Sequence, residues 1–155
     1  MKINWKKLII CLAIPLAVGG LSALFSGGMS SYQITNQPPL SPPGWVFPVV
    51  WAILYLLMGY ASYRVLTSDV EQSQIQKALR LYGAQLVLNF LWPILFFGFD
   101  AYLPAFIVLI GLWVLIFLTI RAFSKIDETA GNLLLPYLLW VTFAGYLNLG
   151  VYLLN

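Results

Sequence analysis

Residues 8–63 read LIICLAIPLAVGGLSALFSGGMSSYQITNQPPLSPPGWVFPVVWAILYLLMGYASY and hold no charged side chain. Roughly 20 apolar residues cross the hydrocarbon of a bilayer, so this run has room for two spanning helices and a loop. The break falls at Gly27-Gly28 and the polar, proline-rich stretch from Ser30 to Gly44. Residues 81–99, 101–120 and 129–155 are likewise uncharged, each long enough for one crossing. The spans are expected at 8–26, 44–66, 77–97, 101–123 and 132–154, with a lid-like loop at 29–43. The fold class this implies is an all-α integral membrane protein, a five-transmembrane-helix bundle forming one membrane domain over residues 1–155.

Composition agrees. The chain is 61% hydrophobic and 8% charged, against roughly 25% charged in a soluble domain. The basic residues decide the orientation. Lys2, Lys6 and Lys7 precede the first span, Arg64, Lys77 and Arg80 flank the second loop, and Arg121 and Lys125 begin the fourth. All eight fall on one side of a five-span topology, which by the positive-inside rule places the N-terminus in the cytoplasm. The first apolar stretch exceeds the 7–15 residues of a signal-peptide core and reads as a span.

The same inventory excludes several function classes. The chain has no His, which removes imidazole-based hydrolysis and His-ligated metal. The single Cys11 forms no disulfide within the chain and no metal cluster. None of the expected spans carries Asp, Glu or His at mid-depth, where proton relays, carboxylate pairs and ion-coupled transport need them. There is no phosphate-cradling glycine loop and no Lys/Arg footprint for nucleic acid. A conventional catalytic constellation, a metal site and a resident cofactor are not expected.

Aromatic residues make up 16% of the chain. Trp5 and Trp45 fit an interfacial belt, and Trp113 sits among aliphatic residues as a packing or lipid-facing group. Trp51, Tyr55, Gly59 and Tyr63 recur every four residues and form one helical stripe, as do Pro136, Trp140, Ala144 and Asn148. Gln85, Asn89 and Trp92 share a third face, followed by Pro93. The amides at membrane depth either bond between helices or also edge a polar-spotted pocket. Ala13 and Ala17, and Gly19, Ala23 and Gly27, give the first span two small-residue seams, usable within the bundle or across a dimer. Four prolines, Pro38, Pro39, Pro42 and Pro43, stiffen the first loop, which reads as a lid over a site.

Pro42-Pro43-Gly44-Trp45-Val46-Phe47-Pro48-Val49-Val50-Trp51, with Leu54-Tyr55 and Met58-Gly59-Tyr60, resembles the signature of the TspO/MBR family. That family holds the bacterial tryptophan-rich sensory proteins and the mitochondrial translocator protein, or peripheral benzodiazepine receptor. Gln85-Leu86, Leu88-Asn89, Trp92-Pro93 and Phe96-Phe97 resemble its third helix. Pro136-Tyr137, Trp140, Phe143 and Leu147-Asn148 resemble its fifth. The resemblance covers nearly the whole chain in order.

It implies a homodimer that binds tetrapyrroles such as protoporphyrin IX in a pocket opening toward the first loop. Isoquinoline carboxamide and benzodiazepine ligands are expected to compete there, and bacterial members are associated with stress responses and photo-oxidative degradation of protoporphyrin. By position, Trp51 and Trp140 match the pocket tryptophans, and Tyr32, Pro42, Asn89, Phe90 and Ala144 match other lining positions. Tyr55 joins them from the Trp51 stripe. A planar porphyrin stacks on aromatic faces, and Trp51 and Trp140 are the candidates to pass it an electron under light. With no His as axial ligand, metal-free protoporphyrin fits better than haem. No basic side chain is evident on the loop side to pair with its propionates. Porphyrin transport and ligand sensing through a partner remain alternatives. Leu149 and Leu153 stand where mammalian members carry Tyr and Arg of a cholesterol motif, so cholesterol-specific binding is not expected. The expected location is a bacterial cytoplasmic membrane.

Overall fold

The structure is a computed structural model that describes residues 2–28 and 30–155. Met29, the first residue of the expected lid, lies outside the described residues. Among the described residues seven α-helices follow one another: α1 (Trp5–Ser26), α2 (Ser30–Ile34), α3 (Val46–Leu66), α4 (Gln72–Pro93), α5 (Tyr102–Ile126), α6 (Glu128–Leu133) and α7 (Leu135–Leu154). A π-helical turn, Ile94–Gly98, continues α4. Among the described residues five stretches are long and apolar enough to cross a membrane: Trp5–Ser26, Val46–Leu66, Gln72–Gly98, Tyr102–Ile126 and Glu128–Leu154. The protein is an all-helical, multi-pass membrane protein.

Local chemistry accounts for the helix ends. Asn4 Oδ1 accepts a hydrogen bond from the Lys7 backbone N–H at 3.1 Å, so α1 starts three residues before the expected 8. It stops at Gly27, whose φ of 75° lies in the left-handed region that glycine enters without steric cost. Pro93 lacks an N–H and crowds the preceding turn, and the chain answers by widening into the π turn, closed by the Phe99 N–H on the Ile94 carbonyl at 3.0 Å. Asp127 accepts from the Thr129 N–H at 3.0 Å and starts α6 inside the expected fourth loop.

Helix α1 lies against α3 along small residues. A Cβ on Gly59 would sit 2.7 Å from the Cys11 carbonyl oxygen and 2.8 Å from the Leu12 Cα, and one on Gly19 would strike the Tyr55 ring. Gly19 of the second seam therefore packs inside the bundle, while Ala23 and Gly27 of that seam, like Ala13 and Ala17, stay exposed. Ser22 Oγ donates to the Phe90 carbonyl at 2.8 Å, fixing α1 to α4.

The first loop crosses the end of the bundle away from the basic residues. Pro38 is buried against Gly150 of α7. Asn36 donates through its backbone N–H to Asn155 Oδ1 (3.1 Å) and receives Asn155 Nδ2 on its own carbonyl (2.8 Å), while the Tyr146 hydroxyl donates to the Pro39 carbonyl at 2.6 Å. At the basic end, Arg64 Nε donates to Asp127 Oδ2 at 2.8 Å, joining α3 to the α5–α6 junction.

Candidate functional site

The helical stripe read from Trp51 and Tyr55 points into the bundle. Trp51 stacks on Tyr55 with centroids 5.6 Å apart and planes 25° apart. It also touches Trp92 at 6.4 Å, meets the edge of Tyr137 at 6.1 Å and stands at 90° to Trp140 at 6.4 Å. Side chains from α3, α4 and α7 thus converge on one indole.

Two buried polar chains hold these rings in place. The Tyr55 hydroxyl donates to Asn89 Oδ1 (2.8 Å), Asn89 Nδ2 donates to the Tyr137 hydroxyl (2.6 Å), and that hydroxyl donates to Gln85 Oε1 (2.6 Å). Trp92 Nε1 donates to Asn148 Oδ1 at 2.9 Å, and Asn148 Nδ2 to the Tyr102 carbonyl at 2.8 Å. In hydrocarbon an unpaired polar group is costly, so each chain ties three helices at fixed register. The amides therefore bond between helices, and none of them edges the cavity described next.

A cleft of about 430 Å³ opens between α1, α3 and the Pro93 turn. Its walls include Gly19, Gly20, Ala23, Trp51, Tyr55 and Phe97, and they are almost wholly apolar. Exposed Leu16, Gly20, Ala23, Pro48 and Ala52 form its rim, so the cleft opens on the outer face of the bundle. The volume lies within the range of small-molecule pockets. Gly19 lets α1 approach Tyr55 closely, and at Gly20 a Cβ would meet nothing within 4 Å, so α1 leaves the cleft open there.

Of the expected site residues, Trp51 and Tyr55 line the cleft. Trp140 stands one ring behind, half-buried, with its indole N–H buried and without a hydrogen-bond partner among the described residues. Its other face borders a shallower groove with Val50, Leu54 and Phe143. Asn89 sits behind Tyr55. Ala144 is buried on α7, away from the cleft. Phe90 turns its ring edge to Phe25 of α1 at 6.0 Å. Tyr32 packs on Phe47, Phe96 and Phe97 at 5.5–5.7 Å beneath the loop, where burial pushes its phenol pKa up. Pro42 is half-buried in the loop and does not border the cleft.

Sequence reasoning passed over Gly20, Pro48 and Phe97 as walls, and Tyr137 as the hinge of the polar chain. The Gly19-Gly20 pair was the available signal for the first; nothing in the spacing of Tyr137 marked the last.

The TspO/MBR family profile matches residues 11–154. The tryptophan-rich protein TspO of Chlorobaculum tepidum is 37% identical over 150 residues, covering 96% of this chain and 95% of its own. The tryptophan-rich sensory protein of Cereibacter sphaeroides is 37% identical over 155 residues, covering 100% and 95%. The translocator protein of Bos taurus is 34% identical over 149 residues, covering 93% and 87%. The chain belongs to the TspO/MBR family.

Proposed function

We propose that the protein binds tetrapyrroles, protoporphyrin IX in the first place, in the aromatic cleft and promotes their degradation under light and oxygen. The observation that carries this reading is the position of Trp51, which borders the cleft while touching Tyr55, Trp92, Tyr137 and Trp140. An apolar slot walled by an indole and a phenol suits a large planar ring. A photoexcited ring in the slot takes one electron from the Trp51 indole, which is oxidised as the ring is reduced. Molecular oxygen then adds to a methine carbon of the reduced ring, and the adduct returns the electron to the hole that Trp140 shares with Trp51. Cleavage of the O–O bond and of the adjoining carbon–carbon bond opens the ring with both oxygen atoms retained as carbonyls. Isoquinoline carboxamide and benzodiazepine ligands compete for the same walls.

In this reading the basic end, and with it the N-terminus, faces the cytoplasm of a bacterial cell whose membrane holds the protein as a homodimer. The propionates project from the cleft toward solvent or neutral donors, since all eight basic residues lie at the far end. Porphyrin transport is less favoured, because Asn89, Tyr137 and Gln85 fill the bundle beneath Tyr55. The test is a dark titration with protoporphyrin IX followed by Trp quenching, then illumination in air, with Trp51→Phe and Trp140→Phe beside the wild type. Saturable dark binding with protein-dependent pigment loss supports the proposal. Binding without such loss leaves carriage or sensing, and no saturable binding overturns it.

A further inference from the structure

At the basic end, α4 and α5 part to leave a recess of about 380 Å³, lined by Gln74, Lys77, Leu81, Leu118, Arg121 and Lys125. We propose that this recess binds the phosphate of an anionic membrane lipid, with the lipid's acyl chain laid along the groove between the two helices. Three cations converge on it from two helices, and no acidic residue lines it. Among the described residues the one ion pair is Arg64–Asp127, so Lys77, Arg121 and Lys125 have no carboxylate partner. Arg121 and Lys125 stand four apart on one helix, where like charges repel, and an anion between them and Lys77 relieves that repulsion.

The recess also has two chemistries in the order a lipid presents them. Lys77 lies in the second turn of α4 and Arg121 and Lys125 in the last two turns of α5, at the depth where headgroups meet water. Further into the span, Leu81 and Leu118 take over, and exposed Val114, one turn beyond Leu118, continues the apolar surface along α5. The Arg121 guanidinium carbon lies 6.0 Å from the centre of the Phe117 ring, and the guanidinium makes no side-chain hydrogen bond among the described residues, so its N–H groups are free for two phosphate oxygens. The two lysines add point charges and Gln74 a neutral donor. A free inorganic phosphate would satisfy the cations and leave the apolar half of the groove unused.

The experiment uses the full chain in neutral detergent, with retained lipid read by native mass spectrometry against phosphatidylglycerol, phosphatidylcholine of the same acyl chains, and inorganic phosphate. Wild type is compared with Arg121→Gln/Lys125→Gln, with Lys77→Gln, and with Lys2→Gln/Lys6→Gln as a charge-matched control at the same end. Helix content by circular dichroism and the conservative Arg121→Lys establish that each protein is folded. The expected result is preferential retention of phosphatidylglycerol, weakened about tenfold by the Arg121→Gln/Lys125→Gln pair, less by Lys77→Gln, and unchanged by the control. Equal retention of phosphatidylcholine, or equal loss in the control, would overturn the site. Displacement of phosphatidylglycerol by millimolar inorganic phosphate would overturn its assignment to a lipid.

Discussion

The indoles of Trp51 and Trp140 meet at 90° with centroids 6.4 Å apart, yet only Trp51 borders the cleft. On the proposed reading one ring touches the tetrapyrrole and the other touches that ring. Their substitutions should therefore separate. Trp51→Phe is expected to weaken dark binding a few-fold and to slow light-driven pigment loss by about tenfold or more, as loss of the primary donor demands. Trp140→Phe should leave dark binding within about twofold and reduce only the light reaction. Fluorescence titration and absorbance decay measure the two quantities, and identical profiles for both variants would contradict the order proposed.

Trp140 makes a second prediction, on stability. Its buried N–H finds no acceptor among the described residues, and a buried unpaired donor costs about 1–3 kcal/mol. Replacing the indole by phenyl removes that donor and also leaves a small void, which costs a comparable amount. The melting temperature of Trp140→Phe should stay close to wild type, unlike most core tryptophan substitutions.

Gly20 offers a test of where the ligand sits. A Cβ there meets nothing within 4 Å, and the residue borders the cleft. Gly20→Leu should fill the slot and cut dark affinity at least about tenfold, about 1.4 kcal/mol, with thermal stability unchanged or slightly raised. Gly59→Ala, one helix away, drives a methyl into the α1 backbone and should destabilise by about 1–3 kcal/mol. Unimpaired binding in Gly20→Leu would place the ligand elsewhere.

Tyr137 both accepts from Asn89 and donates to Gln85. Tyr137→Phe strands two buried amides, so thermal unfolding should report a loss of about 2–4 kcal/mol from two unmade bonds. Tyr55→Phe strands one acceptor, Asn89 Oδ1, and should cost about half as much.

Burial works to raise the Asp127 carboxyl, but the hydrogen bond and charge of Arg64, with the Thr129 and Ala130 N–H groups, outweigh it and hold the carboxyl below its usual range. A depressed carboxyl stabilises the fold fully above its unfolded value, about 3.9, and the contribution disappears as pH falls through the folded value. The pair is partly exposed, so its worth is small, about 0.2–1 kcal/mol. Asp127→Asn should lower the melting temperature modestly at pH 7 and not at all in strong acid.

The five spans were legible because hydropathy and the one-sided basic residues are properties of whole helices. Their ends were not. The third span begins at Gln72 rather than 77 because Gln-Ser-Gln-Ile-Gln, though polar, is compatible with helix, and Glu128–Leu133 is helical because Asp127 caps it. The Trp51–Tyr55 stripe survived translation into three dimensions since spacing of four fixes a common face. The cleft did not, because an empty volume is set by the neighbour that lacks a side chain, here Gly20 of α1. Trp113 showed the same blindness to partners: its N–H donates to Thr142 Oγ1 at 2.9 Å, a pairing between helices that no periodicity marks.

The clasp between Asn36 and Asn155 joins positions 119 apart in the chain. During synthesis the first loop emerges long before its anchor exists, and it stays unfastened until α7 has entered the bilayer. The aromatic cluster beneath it gains its last wall at the same moment as its roof, since α7 brings both Trp140 and Tyr146. Fastening of the first loop and closure of the aromatic cluster are thus late steps in biogenesis, set by insertion of the fifth span, although the cleft itself is walled by earlier helices.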